Sequence, residues 1–234
     1  MAYYKIAGLI VEMNPKGKTL LSQGQDYLIS EKVEKPDIKI SISEDFLKER
    51  HELNPHLTQN DCEYLWYGFD FYRKLLDYDG YMLHSSAISL DNKAYLFSAP
   101  SGTGKSTHTS LWKKHFGSVL TFINDDKPAV RNINGTLYAC GTPFSGKTDN
   151  NNNIIVPLKA ICILKRGEKN KIRLIKPDEA QLPILNQCFR PYEKERMIKL
   201  LDLLNATFAK IPIYLLECNI SDEAVITAYN AMSK

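Results

Sequence analysis

The stretch Tyr95-Leu96-Phe97-Ser98-Ala99-Pro100-Ser101-Gly102-Thr103-Gly104-Lys105-Ser106-Thr107 runs from a strand-like segment, through two closely spaced glycines, into a helix-like segment. The phosphate-loop pattern is G-x-x-x-x-G-K-[ST]. Its last three elements are present here, and Ala99 stands where the first glycine would. A loop that folds around a phosphate must turn successive backbone N–H groups inward, which takes unusual dihedrals and close approach. Gly102 and Gly104 supply both. The helix that follows adds a positive N-terminal end and unpaired N–H groups. Ser101, Gly102, Thr103, Gly104, Lys105, Ser106 and Thr107 are therefore the candidate nucleotide-binding residues. Lys105 would reach the outer phosphates and the Ser106 hydroxyl would ligate magnesium, so the expected cofactors are ATP, or another nucleoside triphosphate, and Mg2+. A strand before and a helix after separate this reading from a chance S-G-x-G-K-S turn.

Working outward, Tyr81 to Leu90 and Lys93 to Ser98 are both strand-like, with only Asp91-Asn92 between them. That gap is too short for a parallel crossover, so the pair is expected to be an antiparallel hairpin. Downstream, a helix from Lys105 to about Phe116 should end at Gly117. A strand from Val119 to Ile123 then delivers Asn124-Asp125-Asp126 at its C-terminal end. Carboxylates placed there can hold magnesium, directly or through water, or take a proton from an attacking hydroxyl. Taken alone, the same residues read equally well as a turn capped by aspartates. The two carboxylates repel each other, and magnesium, with help from Lys127, would keep both ionised.

The remainder is α and β in mixture. Tyr4 to Val11 and Ile38 to Ile42 are expected strands. A helix capped by Thr58 or Asn60 should run to about Tyr78, burying Leu65, Phe69, Tyr72 and Leu76. Its crowd of aromatic residues reads as core packing rather than a stacking box for a cofactor. Asn134-Gly135 marks a hairpin between Ala129–Ile133 and Thr136–Ala139. Gly141 to Lys147 is a loop whose lysine could touch a phosphate or remain solvated, and Asn150 to Asn153 should be exposed and mobile. Strands follow at 154–164 and 172–175, helices from Pro177 towards Phe189 and from Pro191 to about Ala209. A last strand at 213–217 precedes a helix capped by Ser221. Hairpins on either side of the glycine loop imply an α/β (α+β) fold with a mixed, partly antiparallel sheet around the P-loop and flanking helices.

Composition narrows the function classes. The chain has 234 residues, 44% hydrophobic and 24% charged, which suffices for one well-filled core or for a core and a small partner unit. A net charge of +3 without a basic run argues against a nucleic-acid partner. No apolar stretch reaches the ~18 residues of a membrane helix, and no secretory signal precedes Lys5, so no membrane partner and a cytoplasmic location are expected. The five cysteines, Cys62, Cys140, Cys162, Cys188 and Cys218, lack metal or redox spacing and should be reduced and mostly buried. His108 is expected on the surface of the helix after the glycine loop; His51, His56 and His115 suggest no chemistry.

The segments Leu83-His84-Ser85-Ser86-Ala87, Tyr95 to Thr107 and Asn124-Asp125-Asp126 together resemble two related groups. These are the ATP-dependent phosphoenolpyruvate carboxykinases and the catalytic domain of HPr kinase/phosphorylase. The resemblance covers about residues 81–130; the first eighty residues look unlike either. It implies that Lys105 and Ser106 are the phosphate-binding lysine and metal-binding hydroxyl, that Asp126 ligates the metal, and that Asp125 or Asp126 is the catalytic base. His84 falls at a carboxykinase metal ligand, a role that spacing alone would not suggest. Ala99 and Asn124 depart from the families' pattern. The carboxykinases' substrate-binding arginines have no evident counterpart, nor does the HPr kinase signature after the aspartates.

On this basis residues 1–80 are expected to form a β-rich segment plus a helix packed on the core, and 81–234 a P-loop, kinase-like nucleotide-binding domain. The leading expectation is a magnesium-dependent phosphotransferase with Lys105, Asp125 and Asp126 in catalysis. Its partners would be a nucleotide and a hydroxyl-bearing acceptor, such as a serine of a peptide or protein. A nucleotide-sensing module without catalysis, and a carboxykinase-type reaction on a small molecule, are the alternatives. HPr kinase relatives form oligomers, so the resemblance also brings in a homo-oligomer.

Overall fold

The computed structural model describes residues 2–31, 33–146 and 148–234. In chain order the elements are β1 (Ala2–Ile6), β2 (Leu9–Met13), α1 (Lys18–Gln23), β3 (Leu28–Ile29), β4 (Ile38–Lys39), α2 (Glu44–Leu53) and α3 (Gln59–Leu75). Next come β5 (Gly80–Met82), β6 (Ser85–Leu90), β7 (Lys93–Ser98), α4 (Lys105–Phe116), β8 (Thr121–Asn124), β9 (Ala129–Ile133) and β10 (Thr136–Cys140). The chain closes with β11 (Ile155–Arg166), β12 (Lys171–Ile175), α5 (Pro177–Leu185), α6 (Lys194–Lys210), β13 (Ile213–Cys218) and α7 (Asp222–Met232).

Three tight turns set the local pairing. Asp91-Asn92 and Asn134-Gly135 have φ of 51 and 56°, and 51 and 86°, so both central residues are left-handed as two-residue hairpins require. Ala7-Gly8 does the same at 51 and 81°. The expected single strand from Tyr4 to Val11 is therefore a hairpin, β1 against β2. A second expected strand, Tyr81 to Leu90, is broken at Leu83-His84, whose amides donate to Pro128 O and Gln187 O, before Ser85 N donates to Asp126 O.

A four-stranded sheet has the order β3-β1-β2-β4. The larger sheet runs β5-β9-β10-β11-β7-β6-β8, with β13 also beside β11 and β12 beside β13. β7, β11 and β13 are mutually parallel, whereas β6 is antiparallel to β7 and β12 to β13. The fold is thus mixed α/β, as the flanking hairpins suggested. The turn at Gly167 joins β11 to β12 without pairing them, because β13 lies between.

The centre of the larger sheet is covered on both faces. Along β7, Ala94 and Leu96 face a core with Ala180 and Ile184 of α5 and Leu200, Leu203 and Leu204 of α6. Tyr95 and Phe97 alternate to the other side, against Trp112 of α4 and Val225, Ala228 and Met232 of α7. Burial on both faces is what an unbroken apolar strand implies. A third cluster joins the small sheet, through Tyr4, Ile6, Val11 and Met13, to Tyr67, Phe71 and Leu75 of α3.

Helix α3 is capped by Thr58, whose hydroxyl accepts from the Asp61 amide while the Asp61 carboxylate accepts from Thr58 N. Tyr72 and Leu76 are buried as expected, but the rest of the buried face differs from the one expected. Cys62, Tyr67, Phe71, Tyr72 and Leu75 are buried, but Leu65 is 43% exposed and Phe69 is half-buried. The face is set by Phe144, which packs against Gly68 and lies 5.6 to 5.8 Å from the rings of Tyr64, Phe71 and Tyr72. Four of the cysteines are buried and all five are free. Asn152 and Asn153 are exposed, as expected, yet the asparagine run is tied down: Asn152 N donates to Ile123 O at 3.1 Å and Asn124 bridges Asn151. Among the described residues no helix is long and apolar enough to cross a membrane.

Candidate functional site

β7 ends at Ser98 and the chain passes through Ala99 and Pro100 into the glycine loop. Gly102 and Gly104 sit at φ of 77 and 118°, and open space surrounds the position of a side chain at either. Glycine is needed there for the backbone conformation, and the loop face is left bare. Gly104 precedes the first turn of α4, so the amides of Lys105, Ser106 and Thr107 have no partner within the helix. Arg166, at the end of β11, donates to the carbonyls of Gly102 and, at 3.1 Å, Thr103. It fixes the loop's outer side and had no local signal in the sequence.

Lys105 is only 8% exposed and folds back so that Nζ donates to Ala99 O at 2.9 Å. Burial pushes its pKa down, while the charges of Asp126 and Asp125 partly offset this. An anion arriving in the cleft would favour the charged amine again.

Asn124 shapes the acidic turn. Its side-chain oxygen accepts from the amides of Asp126 at 2.9 Å and Lys127 at 2.7 Å, and its amide donates to Thr142 O. This Asx-type turn is how the chain reverses at the end of β8. The departure from the family pattern at Asn124 thus has a structural role. The two carboxylates then meet different partners. Asp125 accepts from the hydroxyls of Ser86 and Thr148, and Ser86 lies 2.7 Å from Thr109 of α4. Asp126 accepts from Lys127 Nζ and lies 3.3 Å from His84 Nε2. Burial raises the Asp126 pKa, but the hydrogen bonds and charges of His84 and Lys127 outweigh it and the net shift is downward.

Every residue expected at the site borders one cleft of about 470 Å³, Thr103 excepted. His84, Ser101, Gly102, Gly104, Lys105, Ser106, Thr107, Asp125 and Asp126 line it with Ser145, Gly146 and Thr148. Thr103 lies on the loop's other side, where its carbonyl meets Arg166. Lys147 lies outside the described residues. His84 is engaged at both ring nitrogens, Nδ1 being 2.9 Å from Gln187 Oε1. Among the described residues no three His, Cys, Asp or Glu side chains could by themselves hold a metal ion.

The loop after the acidic turn is held by the N-terminal part of the chain. Gln23 Nε2 donates to Gly146 O and Gly146 N to Tyr64 Oη, each at 2.9 Å. Tyr27 Oη donates to Asn151 Oδ1 at 2.8 Å, and Asp125 N to Asn150 O at 3.0 Å. Gly146 is close against Asp126: a side chain there would meet the carboxylate at 2.9 Å.

His108 is buried at 4% exposure, contrary to the expected surface position. Trp112 Nε1 donates to its Nε2 at 3.0 Å, and Nδ1 has no partner among the described residues. Burial pushes its pKa down from 6.5 to about 4. A base whose folded pKa lies below its unfolded one stabilises fully above the unfolded value and loses that contribution as pH falls through the folded one. The expected loss between pH 6.5 and 4 is roughly 3 kcal/mol. Urea midpoints measured across that range should fall less steeply in His108→Phe, even though that variant is less stable at neutral pH for want of the Trp112 acceptor. An unchanged slope would rule out His108 as the source.

No protein-family profile and no curated protein matches the sequence. Among solved structures, the chain is similar to the Hpr(Ser) kinase/phosphatase from Coxiella burnetii. The identity is 12% and the TM-score 0.38, over 65% of this chain and 99% of that one.

Proposed function

We propose that this protein binds a magnesium–nucleoside triphosphate in the cleft between the glycine loop and the acidic turn, and transfers its γ-phosphate to a hydroxyl. The observation that carries the reading is the convergence of a buried lysine, a bare glycine loop with helix-start amides that have no partner within the helix, and two carboxylates on one opening. Loop and helix-start amides would take the phosphate oxygens, with Lys105 Nζ leaving Ala99 O for the outer phosphates. The donors suit magnesium, which takes hard oxygens and completes its shell from phosphate and water. Asp126 and Ser106 would hold it, and when bound it neutralises charge on the transferring phosphoryl group.

We assign the two aspartates different roles by their partners. Asp126, held ionised by Lys127 and His84, is a weak base and a good ligand. Proton acceptance falls to Asp125, whose partners are neutral hydroxyls. His84 positions the Asp126 carboxylate through its own bond to Gln187. In the transfer, the acceptor oxygen forms its bond to the γ-phosphorus as the bond to the bridging oxygen breaks. The electron pair leaves with the nucleoside diphosphate and the hydroxyl proton passes to Asp125.

Calorimetry with Mg-ATP should show association, and γ-labelled ATP incubated with protein and cell lysate should label an acceptor. Association without any labelled acceptor would favour the nucleotide-sensing reading, and no association would remove both.

A further inference from the structure

Away from the cleft, the chain leaving β4 and the helices α2 and α3 enclose a groove of about 510 Å³. Phe46, Trp66 and Phe69 are in its wall, with the ring of Trp66 5.1 Å from each of the other two. All three are half-buried, so a joined aromatic surface is left partly uncovered.

The backbone beside these rings selects the shape of a partner. β4 is the outer strand of the small sheet and pairs with β2 alone. Ile40 N donates to Glu12 O, towards β2, whereas Lys39 O turns the other way and accepts from Lys74 Nζ of α3. Successive residues of an extended chain alternate in this respect, so Ser41 continues the outward edge. Among the described residues no backbone hydrogen bond reaches its amide or its carbonyl. Bare edge groups pair with an added strand, and the neighbouring pockets take its side chains. Charge then selects what that strand carries. Asp70 is shared between Arg73 at 2.9 Å and Lys74 at 2.6 Å. Arg73 has a second carboxylate in Glu193 at 2.8 Å, which leaves Lys74 as the surplus cation of the groove.

We propose that this groove docks an extended, acidic stretch of the polypeptide acceptor, laid along the outward edge at Lys39 and Ser41. A large apolar side chain of the stretch packs on Trp66 and Phe69. One of its amides takes Lys39 O, and Lys74 Nζ, released from that carbonyl, meets the acidic side chain. That the docked chain is the acceptor rests on the transfer reading above. Contacts join the groove to the cleft: Phe69 lies 4.8 Å from Phe189, and two residues earlier Gln187 holds His84 beside Asp126.

The probe is a random-peptide library displayed on phage and selected on the nucleotide-free protein, with affinities of the synthesised winners read by fluorescence anisotropy. The winners should carry an acidic residue close to an aromatic or large aliphatic one. Trp66→Ala should weaken them about tenfold or more. Lys74→Glu should weaken them too, and exchanging the peptide's acidic residue for lysine should restore binding to that variant, which a general loss of structure would not allow. Only one edge of an added strand pairs, so N-methylation of alternate peptide residues should be harmless in one series and abolish binding in the other. Hydrogen exchange in the unmutated protein needs no variant to fold, and bound peptide should slow the amide of Ser41. A selection without winners, winners indifferent to both substitutions, or protection that omits Ser41 would overturn the proposal. A dimer in sedimentation that Trp66→Ala dissociates would overturn it as well, by giving the groove to a second copy of the chain. The two readings fail separately, because peptide binding is read without nucleotide. Mg-ATP association without peptide binding removes the groove and leaves the cleft; a docked peptide whose serine-bearing tail takes no label from γ-labelled ATP removes the acceptor assignment.

Discussion

Lys105→Ala is expected to lower phosphate transfer about a thousand-fold or more in a chain that still folds. One preorganised cation in a water-poor cleft is worth several kcal/mol to a reaction that spreads charge over phosphoryl oxygens. The consequence for stability is smaller and has two opposed parts. Ala99 O loses its partner, at a cost of about 1–3 kcal/mol if it stays dry. Against this, the burial that depresses the lysine pKa shows that the charged amine is itself held at some cost. Lys105→Met keeps most of the buried stem without the charge and separates the two parts. Single-turnover transfer of label and urea midpoints should be read on both variants. Turnover near the unmutated rate in a folded Lys105→Ala would sink the assignment of this residue.

Asp126→Asn should reduce transfer about a hundred-fold or more and raise the magnesium concentration needed for half-maximal rate. The amide keeps the size of the carboxylate but is a poor ligand and leaves Lys127 and His84 without their counter-charge. Asp125→Asn should instead slow transfer with little change in magnesium demand. Equal magnesium dependence in the two variants would contradict the division of roles. Acid stability offers an independent reading. A carboxyl whose folded pKa is depressed stabilises fully above its ordinary value near 3.8, and that contribution is lost as pH falls through the folded value. The Asn variant should lack this part of the acid transition.

The sequence disclosed what depends on neighbours in the chain. Asn134-Gly135 and Asp91-Asn92 are turn residues and form their hairpins, and the glycine loop lies between a strand and a helix as its composition implies. Ala7-Gly8 carries no comparable turn signal, because alanine seldom adopts a positive φ and nothing else breaks the apolar run. The burial of His108 was available in principle. Lys105, His108, Thr109 and Trp112 are spaced by three, one and three, which is one face of a helix, but polar residues disguised the stripe. Other features had no local trace. β13 enters between β11 and β12 from more than thirty residues away, and Arg166, Gln187 and Tyr64 come from distant elements to hold Gly102, His84 and Gly146, which line the cleft. Their placement is a product of tertiary packing, which no window of sequence contains.

The grip of Gln23, Tyr27 and Tyr64 on the segment from Gly146 to Asn151 has a thermodynamic corollary. If cleft occupancy favours one arrangement of that segment, then by reciprocity the same occupancy must strengthen its hold on Gln23, Tyr27 and Tyr64, and by an equal factor. Loosening those N-terminal contacts would act on the cleft through Gly146, which Gln23 and Tyr64 hold directly. Nucleotide and the amino-terminal side chains would in effect be co-ligands of the same stretch around Gly146.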